Sequence, residues 1–282
     1  MELNKIYNED CLEGMKKIPD KSVDMILCDL PYGTTACKWD TIIPFEPLWE
    51  QYERIIKDNG AIVLTTSQPF TSALIMSKPK LFREEVIWLK NKGASGLQAK
   101  QKHIKVHESI LVFSKKGKYT YNPIKWEVEE KQFLTQRKTM SMYGETNNIY
   151  GNLKRERKAD DGTRNPISVV PFKVPITGAK TKKYTKEVDL RIHPTQKPVA
   201  LFEYLIKTYT NEGETVLDNC MGSGTTAIAC INTDRRYIGF ELDEGYYNVS
   251  LDRIEKHKEE WNEELLWKNY QTVFRMVIFG LS

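Results

Sequence analysis

"VLDNCMGSGTTAIAC", residues 216–230, joins an apolar strand to a carboxylate, a Gly-x-Gly turn, two threonines and the start of an apolar helix. Glycine lets a backbone approach a ligand closely, and a helix N-terminus presents N–H groups that lack intrahelical partners. Alone, the turn also fits an ordinary tight connection. The next apolar run, "RYIGFEL" at 236–242, carries Glu241 at its end, 23 residues beyond Asp218. An acid at a neighbouring strand tip can accept both hydroxyls of a ribose, so the two tips together predict a nucleoside cofactor. The dinucleotide fingerprint Gly-x-Gly-x-x-Gly is met only with Ala227 in its last place, which leaves a nucleotide-binding oxidoreductase as a competing reading.

A second stretch, "VDMILCDLPYGTT" at 23–35, ends an apolar run in Asp29, Leu30, Pro31 and Tyr32. A carboxylate loses hydration wherever it leaves water, and proline cannot donate to a sheet. Asp/Pro/Gly turns after strands are common, but an aromatic ring directly behind the acid is more than a turn needs. Cys28, on the opposite side of the strand from Asp29, reads as a core thiol.

Between these stretches strands alternate with helices. "KIYNED", "VDMILCD", "GAIVLTTS", "EEVIWLK", "HESILVFSKK", "ETVLDN" and "RYIGFEL" read as strands. Helices are expected at 11–18, 45–58 (stopped by Asn59-Gly60), 69–78, 198–210, 224–232 and 244–260. The alternation predicts an α/β fold, a doubly wound and mostly parallel sheet covered on both faces. The strands at 84–90 and 108–114 have only a loop between them and should form an antiparallel hairpin at a sheet edge. The tail "VFRMVIFGLS", 273–282, reads as a strand or a packed segment.

Composition narrows the class. Hydrophobic residues at 40% and charged residues at 28% suit a globular chain of 282 residues. No apolar run reaches the roughly 18 residues of a membrane span. The N-terminus lacks a signal-peptide layout, so a cytoplasmic location is expected. Five cysteines (11, 28, 37, 220, 230) form no Cys-x-x-Cys pair, and the four histidines are scattered. No metal site is expected from these spacings.

Taken together, the motifs resemble the amino-methyltransferases of DNA, in the permuted group called the beta class. "DLPY" is similar to the family's (Asp/Asn/Ser)-Pro-Pro-(Tyr/Phe/Trp) tetrapeptide, and "CMGSG" to its Phe-x-Gly-x-Gly cofactor loop. "HPTQKP", 193–198, stands before that loop, as is common in the group. The chain departs from the pattern at Leu30, in place of a proline, and at Cys220, in place of a phenylalanine. The resemblance implies a permuted, Rossmann-like sheet of seven strands. It also implies an S-adenosyl-L-methionine-dependent enzyme that methylates N6 of an adenine flipped out of double-stranded DNA. Asp29, Leu30, Pro31 and Tyr32 are then the catalytic turn, with Tyr32 stacking on the base. The cofactor set is Asp10, Asp29, His193, Thr195, Gln196, Lys197, Asp218, Cys220, Gly222, Ser223, Gly224, Thr225, Thr226, Glu241 and Leu242. His193 is expected as scaffold rather than as a general base. N4 of cytosine is the nearest alternative target, although serine more often heads the tetrapeptide of those enzymes. RNA ranks below DNA as substrate.

Charge distribution supports a polyanionic partner. Residues 115–191 hold 18 Lys or Arg against 9 Asp or Glu, while the rest of the chain is net acidic. With its interleaved aromatics this segment is expected to be a target-recognition insertion. Lys154, Arg155, Arg157 and Lys158 should meet DNA, with Lys100 and Lys102 in a second DNA-facing loop at 91–105. The expected layout is 1–114, the catalytic half; 115–191, the insertion; 192–262, the cofactor half; and 263–282, a C-terminal extension. A homodimer is compatible with this layout. A non-enzymatic DNA-binding protein would explain the charge but leave the two acid-bearing tips idle.

Overall fold

The computed structural model describes residues 1–127, 162–175 and 195–279, except 36, 38, 39, 95, 97 and 98. In chain order the first half runs β1 (Lys5–Tyr7), α1 (Cys11–Met15), β2 (Val23–Asp29), α2 (Phe45–Ile55), β3 (Ile56–Thr66), α3 (Phe70–Ser77), β4 (Phe82–Ala94) and β5 (Lys105–Phe113). Then come β6 (Trp126–Glu127), β7 (Thr163–Arg164), β8 (Val169–Phe172) and α4 (Val199–Tyr209). The chain closes with β9 (Thr215–Asp218), α5 (Thr225–Asn232), β10 (Arg236–Phe240) and α6 (Glu244–Phe279).

Pro123–Ile167 is a compact unit of its own, in which β6 and β7 pair antiparallel. The other unit, Met1–Asn122 with Ser168–Ser282, holds an eight-stranded sheet of order β1-β10-β9-β2-β3-β5-β4-β8. From β1 to β3 the neighbours are parallel. β5 runs antiparallel to both β3 and β4, so the expected hairpin is present. The last strands in the chain lie between the first two, which is the permuted order.

Alternation along β2 explains the two covered faces. Met25 and Leu27 enter one core with Leu201 and Leu205 of α4 and Ala227 and Ile228 of α5. Ile26 and Cys28 enter the other, with Met15 of α1, Trp49 and Tyr52 of α2 and Leu74 of α3. Because both faces are buried, β2 reads as a nearly continuous apolar run. Its one internal acid, Asp24, is held by Lys57 Nζ at 2.6 Å and by the Thr215 amide at 3.0 Å.

Three expectations give way. Asn59-Gly60 does not stop a helix: α2 ends at Ile55 and β3 starts at the next residue. The pairing jumps from Val23–Ile56 to Met25–Ala61, so Asn59 and Gly60 lie in an irregular bulge of β3. A side chain on Gly60 would meet the Asp24 carbonyl oxygen at 2.7 Å, which is why glycine stands there. "ISVVPF", read as part of a non-sheet insertion, supplies β8, which pairs parallel with β4 and adds an eighth strand to the seven expected. The tail is helix rather than strand, since α6 continues to Phe279. A cluster of apolar residues in it carries helix as readily as strand. Among the described residues no helix is long and apolar enough to cross a membrane.

Candidate active site

β1, β10, β9 and β2 are parallel neighbours, so their carboxyl ends open on one edge, where ligands bind in open α/β sheets. A cleft of about 1000 Å3 lies there, lined by Asp29, Tyr32, Asp218, Gly222 and Glu241 among others. That volume is at the upper end for small-molecule sites.

On the β2 side, Asp29 Oδ1 accepts the Tyr32 hydroxyl at 2.6 Å and the Thr65 hydroxyl. Asp29 Oδ2 takes the Lys197 ammonium at 2.5 Å. Leu30 is 3% exposed, its side chain in the core, so the departure from proline anchors the turn by burial. Tyr32 has one ring face on Phe70, with centroids 5.4 Å apart and planes at 29°. Burial first, then the charges of Asp29 and Glu108, push its hydroxyl well above the ordinary tyrosine range. Behind it the Asp40 carboxylate accepts three successive amides, Gly33 at 2.8 Å, Thr34 at 2.9 Å and Thr35 at 2.7 Å.

On the β9–β10 side the glycine turn is held from within. Asp218 is buried and accepts the Cys220 amide at 3.0 Å and the Thr226 hydroxyl. Burial pushes its carboxyl up to about 6. Glu241 Oε2 accepts the Gly222 amide at 2.7 Å, and Oε1 the Asp243 amide at 2.9 Å. Its carboxyl is raised, chiefly by burial. Gly222 and Gly224 both have positive φ, at 54° and 81°. Their surroundings differ. A side chain on Gly222 would project into open space, whereas on Gly224 it would meet Ser250 and Ile254 of α6 at 3.3 Å. Gly224 is therefore required by packing, and Gly222 faces the cleft. Arg253 fastens the loop through the Ser223 carbonyl at 2.9 Å and the Thr225 hydroxyl at 3.0 Å.

The remaining predicted positions fall as follows. Asp10 caps α1, accepting the Leu12 amide at 2.8 Å, and its residue lines the cleft. Thr195, Gln196 and Cys220 also line it, and Leu242 stands 70% exposed at the rim. Lys197 was expected to face the cofactor, but its ammonium meets Asp29. Lys100 and Lys102 are exposed. His193 and the Lys154, Arg155, Arg157, Lys158 cluster lie outside the described residues. Among the described residues no three His, Cys, Asp or Glu gather as a metal site.

Sequence reasoning passed over Glu108, Lys90 and Thr65. Lys90 pairs with Glu108 Oε1, and both line the cleft. The available signal was a charge beside otherwise apolar strands, "HESILVF" and "VIWLK".

Two acid-bearing strand tips facing one cleft, with a glycine turn between them, define a nucleoside-cofactor site on an open α/β sheet. The chain belongs to the DNA methylase family of N6/N4 type, whose pattern it matches over residues 23–252. It is 30% identical over 282 residues to the DNA adenine methyltransferase YhdJ of Escherichia coli (strain K12), covering 94% of this chain and 87% of that one. The crystal structure of the M1.HpyAVI–SAM complex superposes with a TM-score of 0.56 at 25% identity, covering 88% of this chain and 98% of that one. The PvuII DNA methyltransferase, cytosine-N4-specific, gives 0.59 at 15% identity over 92% and 91%, a likeness of fold alone. The family match sets the oxidoreductase reading aside.

Proposed function

We propose that this DNA methyltransferase acts on N6 of an adenine rotated out of double-stranded DNA. The observation that carries the reading is the Asp29 carboxylate at the tip of β2, across one cleft from Glu241. S-adenosylmethionine, the methyl donor of this family, supplies an electrophilic methyl group on a sulfonium centre when bound. The cleft suits it: Glu241 offers a carboxylate to ribose hydroxyls, and open space beside Gly222 admits the chain of the ligand. Asp10 and Leu242 would border the adenine of the cofactor. Asp218, Thr225, Thr195 and Gln196 would border its methionine part.

An adenine amine is a poor nucleophile because its lone pair is delocalised into the ring. Asp29 and the Leu30 carbonyl would accept its two N–H bonds, turning the lone pair toward the methyl group. As the N–C bond forms and the C–S bond breaks, positive charge grows on the amine, and the nearby carboxylate stabilises it. The surplus amine proton leaves to water. Tyr32 would stack on the base with the ring face turned from Phe70, offsetting part of the unstacking cost of a few kcal/mol. Residues 115–191 would supply phosphate contacts and sequence choice. An aspartate at the head of the turn favours adenine over cytosine by resemblance.

Plasmid DNA methylated by the enzyme and digested to nucleosides tests this. N6-methyladenine is the expected product. N4-methylcytosine would move the target to the other base, and unmodified nucleosides would overturn the reading.

A further inference from the structure

Lys197 is 6% exposed by its side chain, and its ammonium lies 2.5 Å from Asp29 Oδ2 and 3.6 Å from Glu108 Oε2. Among the described residues, Glu108 Oε2 is a buried oxygen with no hydrogen-bond partner, while Lys90 holds the other oxygen. The Lys197 carbonyl is in reach of the Thr225 hydroxyl at 3.5 Å, on the cofactor loop. Taking an ammonium out of water is costly, and an apolar pair of the same size would often stabilise a core as well. Stability alone therefore does not account for the pair. Its location beside Asp29 does.

A carboxylate offers about four lone-pair sites. Tyr32 and Thr65 occupy those on Oδ1, and Lys197 occupies one on Oδ2. The site left for a substrate amine is on the oxygen that Lys197 holds. A lone ammonium there would cancel the negative charge the reaction uses. Glu108 shares that ammonium and returns the charge to Asp29.

We propose that Lys197 and Glu108 are positioning residues for Asp29: Lys197 fixes Oδ2, and Glu108 draws on the ammonium so that Asp29 stays an anionic acceptor. The proposal rests on the methyl-transfer reading above. The other groups facing Asp29 are Tyr32 and Cys28 beside it, Asp218 on β9 and Lys90 on β4; Lys105 acts on Glu108.

The test compares Lys197→Gln, Lys197→Arg and Glu108→Gln with the parent in single-turnover methylation across pH, beside calorimetric cofactor titration. Lys197→Gln is expected to lower the rate about 100-fold with little change in cofactor affinity. It should move the acid limb of the rate profile up by about one unit, since a positive charge is lost. Glu108→Gln should move that limb down, because Lys197 then acts on Asp29 alone. Lys197→Arg should recover part of the rate. Limbs that stay in place, or move together, would reduce the pair to a structural contact and overturn the proposal. If Lys197→Gln does not fold, the sign for Glu108→Gln decides. Carbon-13 titration of the Asp29 carboxyl reads the same two shifts without turnover. It decides the pair even if the parent leaves DNA unmodified, a result that sinks only the function reading.

Discussion

The Gly222 amide donates to Glu241 Oε2 at 2.7 Å, so the acid facing the ribose position also sets the shape of the glycine turn. Glu241→Ala should therefore weaken S-adenosylmethionine binding by more than the ribose contacts alone. Charge-assisted hydrogen bonds are worth about 1.5–3 kcal/mol each, so a loss of roughly 10- to 100-fold is expected. Calorimetric titration measures it, and an unchanged dissociation constant would make the acid purely structural.

Asp29→Ala and Tyr32→Ala should lose most methyl transfer while cofactor binding survives, since neither touches Gly222 or Glu241. Tritium transfer from labelled cofactor to DNA, read beside calorimetry, separates the two effects. Near-parental transfer by Asp29→Ala would rule out the mechanism.

Gly224→Ala and Gly222→Ala should part company although both glycines have positive φ. Each substitution carries backbone strain of about 1–3 kcal/mol. Only at 224 does the new methyl also crowd Ser250 and Ile254. Thermal unfolding should show the larger fall for Gly224→Ala, and cofactor affinity the larger fall for Gly222→Ala.

Asp218 links stability to pH. Its carboxyl is raised by burial from the ordinary 3.8 to about 6, so the folded state holds the proton more tightly than the unfolded one. That contribution is fully present below about pH 4 and is lost as pH rises through about 6. A shift of two units corresponds to roughly 3 kcal/mol. Asp218→Asn has no charge to bury, so urea unfolding should show its stability rising relative to the parent over that window. A constant difference across pH would contradict the buried charge.

DNA affinity should depend on salt through the basic segment. If about five phosphates are neutralised, log affinity falls with log salt at a slope near −4.5. Replacing Lys154, Arg155, Arg157 and Lys158 together by neutral residues should flatten the slope in a fluorescence-anisotropy titration, with cofactor binding intact. An unaltered slope would move the footprint toward Lys100 and Lys102.

The sheet was legible because β2, β3, β9 and β10 are buried on both faces and leave apolar runs bounded by turns. The strand tips were legible because an acid after such a run has few structural uses. What escaped was non-local. Gly60 looks like a helix stop until Asp24 on the neighbouring strand is seen to need its space. Lys197 stands in a motif associated with the cofactor, and only the fold carries it to Asp29, 168 residues away. Val169–Phe172 is too short to declare itself and becomes a strand only because β4 offers an open edge.

Three consecutive amides gathered on one acceptor, as Gly33, Thr34 and Thr35 are on Asp40, make the kind of concave nest that elsewhere captures phosphate. Here the protein fills it with its own anion. Hydrogen bonds from the loop hold the Asp40 carboxyl below the usual carboxylate range, against the opposing effect of burial. A DNA phosphate or a buffer anion thus finds no vacancy behind the catalytic turn. The turn keeps its shape at ionic strengths that strip the protein from its substrate, so capture and chemistry respond to salt separately.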